Sequence, residues 1–241
     1  MEPLDLLPPF RTETEANADR APPSGMLPDP RNPARQLLAR TRYVRDPRDA
    51  DAHGIHVDEH GALRHRRTGN VFDTTRMFPG VRGWDVERLE GRAMFTVATD
   101  GTLYASDVES MAIGVREYVQ VRRHHEAGEP TAVHLPDVLE FWHHSSVVAG
   151  ASVLCAGELG TDETGSLRFA SNQSGHYRPS RRHFLRFLEG LVAAGVDMER
   201  VTVEIVEADV PTRRFRARRF IDARGTPADG PPAAPAFTGR Y

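Results

Sequence analysis

Lysine is missing from this chain altogether. All 31 basic residues are arginine, set against 34 acidic ones, for a formal charge of -3 over 241 residues. Lysine is ordinarily among the commonest residues, so its absence has one of two origins. A GC-rich genome is the first, and the abundance of Ala, Arg, Gly and Pro agrees with it. Selection against lysine is the second, as in a protein that must escape ubiquitin-like tagging in a foreign cytosol. The near balance of charge excludes a nucleic-acid binder that works by net field. Cysteine is almost absent too. With Cys155 alone, an intrachain disulfide and a cysteine-type structural zinc site are excluded, and the chain fits a reducing compartment or export without disulfides.

Long apolar runs are lacking as well. The longest, Val147 to Gly157, is about half of what a bilayer crossing needs. The opening residues Met-Glu-Pro-Leu-Asp lack the basic-then-apolar pattern of a signal peptide, so the expected location is the cytoplasm or, after delivery, a target cell's cytosol. There is no P-loop, no G-x-G-x-x-G and no H-E-x-x-H. No metal site is expected: His53, His56 and His60, with Asp58 and Glu59, lie on a hairpin whose alternating faces keep them from converging.

What is present is an ordered middle between proline-rich ends. Pro8, Pro9, Pro22, Pro23, Pro28, Pro30 and Pro33 mark residues 1–35 as a flexible leader. Residues 222–241, rich in Pro, Gly and Ala, read as a tail. Residues 36–221 are left as one domain, large enough for a real core.

Hairpins dominate its first half. Ile55 to Val57 and Ala62 to His65 flank a turn at Asp58 to Gly61. Met94 to Thr99 and Thr102 to Ala105 flank Asp100-Gly101, the pair suited to a type I′ turn. Ser106-Asp107-Val108-Glu109 has the capping-box pattern and predicts a helix from there to about His125, with Val108, Met111, Val115, Tyr118 and Val119 on one stripe. Ala151 to Leu159 and Ser166 to Asn172 form a third hairpin. Arg181 to Ala194 is the strongest helix: Phe184, Phe187, Leu188, Leu191 and Val192 share a face, Ser180 stands at the N-cap and Gly195 beyond the C-terminus. Val201, Val203 and Ile205 alternate as a half-buried strand. Arginines crowd the segment from Arg213 to Arg219, as on a solvated strand edge or a phosphate-binding surface. Strands mixed with helices, without a regular βαβ rhythm, predict an α+β fold: a mainly antiparallel sheet with two or more packed helices.

Two polar stretches beside apolar elements carry the candidate chemistry. The first contains His143, His144, Ser145 and Ser146 and leads to Gly157-Glu158. The second is Ser174-Gly175-His176-Tyr177-Arg178-Pro179, just before the predicted helix at 181. Free N–H groups and the positive dipole end of that helix face the second stretch, which suits an anion such as phosphate or carboxylate. His144 beside Ser146 has the residue types of base and nucleophile, although triad members usually come from separate elements. Glu158 is an acid/base candidate if it points into the same cleft. The structural alternative stays open for both stretches. The serines, histidines and tyrosine would then cap turns and hydrogen-bond one another as a buried network. Cys155, among Val153, Leu154 and Ala156, is expected to be buried and inert.

His143-His144-Ser145-Ser146-x-x-Ala149-Gly150 followed by Ser174-Gly175-His176-Tyr177-Arg178-Pro179 resembles the signature of the plant IQ-motif-containing calmodulin-binding (IQM) proteins. Similar segments occur in bacterial and fungal proteins, including modules that look like toxin or effector domains. Gly61 to Gly69 and Leu103-Tyr104-Ala105 have counterparts in the same order, so the resemblance spans about residues 55–205. It departs in three ways. No IQ motif is recognisable, so calmodulin is not an implied partner. A long insertion separates Tyr104 from His143. Glu158 follows the bacterial rather than the plant pattern.

The resemblance and the anion-friendly helix end together give an effector-like enzyme as one expectation. It would transfer a group from a nucleotide or phosphorylated small molecule to a protein acceptor, with ADP-ribosyl transfer from NAD as its specific form. No cofactor is otherwise implied. The catalytic set would be His144, Ser146, Glu158, His176 and Tyr177, with His143, Ser145, Ser174, Gly175 and Arg178 binding substrate. The rival expectation is a recognition domain that binds a ligand or protein without turning it over.

Overall fold

The structure is a computed structural model and describes residues 25–44, 46–77, 91–106, 114–175, 177–207 and 210–226. The chain enters through β1 (Gly25–Asp29), β2 (Asn32–Thr41), α1 (Pro47–Asp51), β3 (Gly54–Val57), β4 (Leu63–His65), β5 (Ala93–Ala98) and β6 (Leu103–Ser106). It continues through α2 (Val115–Glu126), β7 (Val138–Phe141), β8 (Val153–Thr161), β9 (Leu167–Ser171), α3 (Arg181–Ala193), β10 (Thr202–Glu207), β11 (Val210–Arg216) and α4 (Ala217–Asp222). Eight strands form one sheet in the order β11-β10-β9-β8-β5-β6-β3-β4, and three form a second in the order β1-β2-β7. Among the described strands only β9 with β10 and β2 with β7 run parallel. The fold is α+β, with antiparallel pairing dominant.

Alternation along the strands sets two different faces on the large sheet. On one, Phe95, Leu159, Val203, Ile205 and Phe215 are buried against Phe184, Phe187 and Leu188 of α3 and Phe220 of α4. Phe95 stacks on Phe187 with ring centroids 4.3 Å apart. The small sheet has a core of its own, in which Leu37 and Leu139 meet Tyr118 and Val121 of α2.

Helix α3 follows its stripe with one exchange: Leu185 is buried and Val192 is partly exposed. Ser180 holds the N-cap position, but its hydroxyl pairs with His183 Nδ1 at 2.7 Å instead of capping. Gly195 at φ 98° ends the helix, and the Val196 amide bonds back to the Leu191 carbonyl at 3.0 Å, as a C-terminal glycine motif requires.

Four expectations are corrected. Residues 25–35 are not leader but part of the β1–β2 hairpin. Pro28 lies on the edge strand, and Pro33 precedes the stretch of β2, from Leu38, that pairs with β7; both are places where a missing N–H is tolerated. Ser106 does not open a helix: it ends β6, paired with Met94. Helix α2 begins at Val115 after Gly114 at φ 72°. A Cβ there would meet Pro136 Cγ at 2.5 Å. The β5–β6 connection has only Gly101 left-handed, with no positive φ at Asp100, and the Ala98 amide bonds to Thr102. It is therefore a three-residue loop and not a type I′ turn. Residues 222–226 are not tail: they end α4, with the Gly225 amide bonded to the Phe220 carbonyl at 2.9 Å. The leader before residue 25, the stretch 107–113, His176 and the tail after 226 lie outside the described residues.

Candidate functional site

The two motif stretches meet on the face of the large sheet opposite α3. Residues 143–150 form a chain of tight turns. The Ser146 hydroxyl accepts from the His143 amide at 2.8 Å, while the Ser146 amide donates to the His143 carbonyl at 2.9 Å. The Ser145 carbonyl accepts from Gly150 at 2.9 Å, and Ala149 and Gly150 have φ of 49° and 80°. Three bonds fasten these turns to the rest of the domain. Val44 N–H donates to the Ser146 carbonyl at 2.9 Å, and Thr96 Oγ1 to the His144 carbonyl at 2.8 Å. His144 Nε2 donates to the Gly157 carbonyl at 2.9 Å, which fixes the proton on Nε2 because a carbonyl only accepts. His144, Ser145 and Ser146 are all buried.

The second motif is folded the same way. Ser174 Oγ accepts from the Tyr177 amide at 3.2 Å, and the Ser174 carbonyl from Arg178 N–H at 3.0 Å. Arg178 takes φ 42° to make this turn and, like Gly175, is exposed. Tyr177, 2% exposed, packs with Val153 and Ala156. Its hydroxyl donates to the Ala151 carbonyl at 2.7 Å, which joins the second motif to the exit of the first.

Glu158 is placed by a register that crosses six strands. Ser106, Met94, Glu158, Ser171, Glu204 and Arg214 are successive cross-strand partners from β6 to β11, so they stand in one row. Glu158 and Glu204 are both buried. Arg92 lies between them, with Nη1 at 3.2 Å from Glu158 and 3.5 Å from Glu204. Its guanidinium sits 3.6 Å over the Phe169 ring. Arg214 Nε reaches Glu204 at 3.0 Å, and Ser171 Oγ reaches Glu158 at 3.5 Å. Two acids and two guanidiniums thus alternate, and each buried carboxylate has a cation beside it. Gly157, next to Glu158, points to the opposite face, where a Cβ would lie 1.9 Å from the Ser171 carbonyl and 2.9 Å from the Phe95 ring.

The structure therefore brings His143, His144, Ser145, Ser146, Glu158, Ser174, Gly175, Tyr177 and Arg178 to one region of the sheet. Sequence reasoning missed Arg92, Ser171, Glu204 and Asn172. Asn172 Nδ2 donates to the Pro179 carbonyl at 2.7 Å and the Val206 carbonyl at 2.9 Å, and its Oδ1 accepts from Val206 N–H at 2.7 Å. One side-chain amide thereby closes the second motif's loop and ties it to β10. An asparagine between a strand and a turn-rich loop was the available signal.

Elsewhere, burial pushes the Cys155 thiol well above its ordinary range, as expected for an inert core cysteine. Asp58, near the histidine hairpin, accepts from Arg64 and from the His60 and Ala62 amides. Among the described residues no group of three metal-ligating side chains converges.

The model of the IQ motif-containing protein middle domain matches residues 139–184. That segment resembles an IQM middle domain. It runs from β7 through both motifs into α3 and stops short of the upstream segments at 61–69 and 103–105. The match names neither a toxin nor a nucleotide-using enzyme. No curated protein and no solved structure matches the chain. Among the described residues no helix is long and apolar enough to cross a membrane.

Proposed function

We propose that this chain is a protein-recognition domain in which the two motifs act as a latch, folding their loops onto the sheet. One observation carries the reading: the side chains that chemistry would need are buried and hold main-chain atoms. The Tyr177 hydroxyl holds Ala151, the Ser146 hydroxyl holds His143, and His144 Nε2 holds Gly157. A nucleophile or base must have its reactive atom within reach of substrate. These side chains are buried between loop and strand. The likeness of residues 139–184 to the middle domain of IQ motif-containing proteins supports the same reading.

A second reading, group transfer from a nucleotide such as NAD in a chain delivered to a target cell's cytosol, draws on one feature. Glu158 follows Gly157, the residue that holds His144, so an acid and an imidazole share the face. In that reading His144 and Tyr177 hold the nicotinamide ribose and ring, Arg178 the pyrophosphate, and Glu158 orients the ribose hydroxyl or the acceptor.

Mass spectrometry of a cell lysate incubated with the pure protein, with and without NAD, separates the two. The recognition reading expects unchanged NAD, no mass shift on lysate proteins, and a lower melting temperature for His144→Ala and Tyr177→Phe. NAD consumption or protein modification that is lost in His144→Ala, with melting unchanged, overturns it.

A further inference from the structure

The two ends of the large sheet are finished differently. At the β4 end the outer edge is closed. Val71 bridges Arg64, Leu63 N–H donates to the Gly165 carbonyl, and the Leu63 carbonyl accepts from Phe72, at 2.9 and 3.0 Å respectively. At the other end, β11 pairs with β10 on one side and with no described strand on its outer side. The Ala217 amide donates to the Val201 carbonyl at 2.9 Å, one step beyond the Arg216–Thr202 pair. Antiparallel ladders alternate, so Phe215 and Arg213 bond inward, while the N–H and C=O of Arg214 and the N–H of Arg216 point to the open side; the Arg216 carbonyl, at the N-cap of α4, opens that helix's own bonding. Both side chains lie on the face opposite Phe215 and both are exposed. Arg214 leans back on Glu204. Among the described residues Arg213 and Arg216 have no acidic partner.

An open edge flanked by arginines has a simple defensive use, since charge deters edge-to-edge aggregation. It is also half of a β-augmentation site. A strand added beside β11 would take up the N–H and C=O of Arg214 and the N–H of Arg216. Side chains at alternate positions of that strand would fall opposite the two guanidiniums, about 5 Å away. Arg214 is already engaged by Glu204, so the charge that selects acids there is that of Arg216.

We propose that the β11 edge captures an extended acidic peptide with Glu or Asp at alternate positions, by adding it as a ninth strand. This rests on the recognition reading above and names the partner's chemistry. A nucleic acid fits less well. Its backbone has no N–H to give the outward carbonyl of Arg214, and Phe215, the aromatic on this strand, is buried and offers no face for a base.

The test uses fluorescence anisotropy of the full chain with a labelled peptide, Thr-Glu-Val-Glu-Val-Glu-Thr. A peptide with lysine for glutamate and a single-stranded oligothymidylate serve as competitors. Arg216 has φ -71°, which proline adopts without strain, and its N–H lies outside the ladder. Arg216→Ala therefore removes the charge, and Arg216→Pro removes the charge and the outward N–H. The expected result is binding weakened about fivefold by Arg216→Ala and about fivefold again by Arg216→Pro, as for one charge-assisted bond and one main-chain bond. The lysine peptide should not compete. Equal affinity in the two variants means charge contact without strand addition and overturns the proposal. Tighter binding of oligothymidylate than of peptide overturns it in favour of a polyanion surface. No peptide binding, with NAD untouched, overturns the edge site alone; NAD turnover overturns the recognition reading and leaves the peptide result to stand by itself.

Discussion

The two faces of the eight-stranded sheet solve the same problem by different means. Under α3 the strands bury Phe95, Leu159, Val203 and Ile205 against phenylalanines and leucines, and water is excluded because nothing there needs it. On the opposite face burial is just as deep, but Glu158, Ser171, Glu204 and the motif serines and histidine are what is buried. Each of these groups needs a matched partner, or its desolvation is uncompensated. The first face tolerates imprecision; the second depends on register. Arg92 between two carboxylates and Asn172 between the second motif's loop and β10 are the joints of that second arrangement.

Breaking each face at its centre gives the largest effects. Phe184→Ala removes a fully buried ring between α3 and the sheet and should cost about 4 kcal/mol in chemical denaturation. Arg92→Ala leaves two buried carboxylates without their shared cation and should cost about 3 kcal/mol. The comparison sharpens in the double variant. Arg92→Ala with Glu158→Ala should recover part of that loss, whereas Phe184→Ala with Glu158→Ala should be additive within error. A non-recovering double variant would show that Arg92 matters by packing on Phe169 and not by charge.

Tyr177→Phe keeps the ring in its apolar seat and deletes the bond to Ala151. The expected loss is about 1 kcal/mol, with no change in any binding at the β11 edge.

The smallest effect belongs to neither face. Asp58 is held at about 2 by the Arg64 guanidinium and the Ala62 and His60 amides. For Asp162, partial burial works upward but is outweighed by Thr164, Arg168 and Ser166, leaving it also at about 2. Both carboxylates sit below their ordinary value, so their stabilisation is complete above about pH 4 and is lost as the pH falls toward 2. The melting difference between wild type and Asp58→Asn should shrink over that interval and stay constant above it.

The apolar face was largely legible from the sequence. The spacing of Phe184, Phe187, Leu188 and Leu191 names α3, and alternation at Val203 and Ile205 names β10, because both are periodic over a few residues. The same local logic failed at Ser106, where a capping-box pattern coincides with a strand end. A four-residue signal does not register that Met94 pairs across from it. It failed again at residues 25–35, where prolines suggested disorder but stand at an edge and before the paired stretch. Both motifs were recognised, but whether their hydroxyls and imidazole face outward or inward was not, since that depends on which carbonyls come within reach.

The sequence by itself determined the fold class, the hairpins at 55–65 and 94–105, the helix at 181 and the residues worth attention, since each is a matter of neighbours within a few positions. Only the tertiary structure decided that Glu158, Ser171, Glu204 and Arg214 form one row, that Arg92 bridges two of them, and that β11 has no described strand on its outer side while the edge at β4 is closed. The row runs from Met94 to Arg214, residues far apart in sequence, and a one-residue slip in any strand would turn its members to the other face.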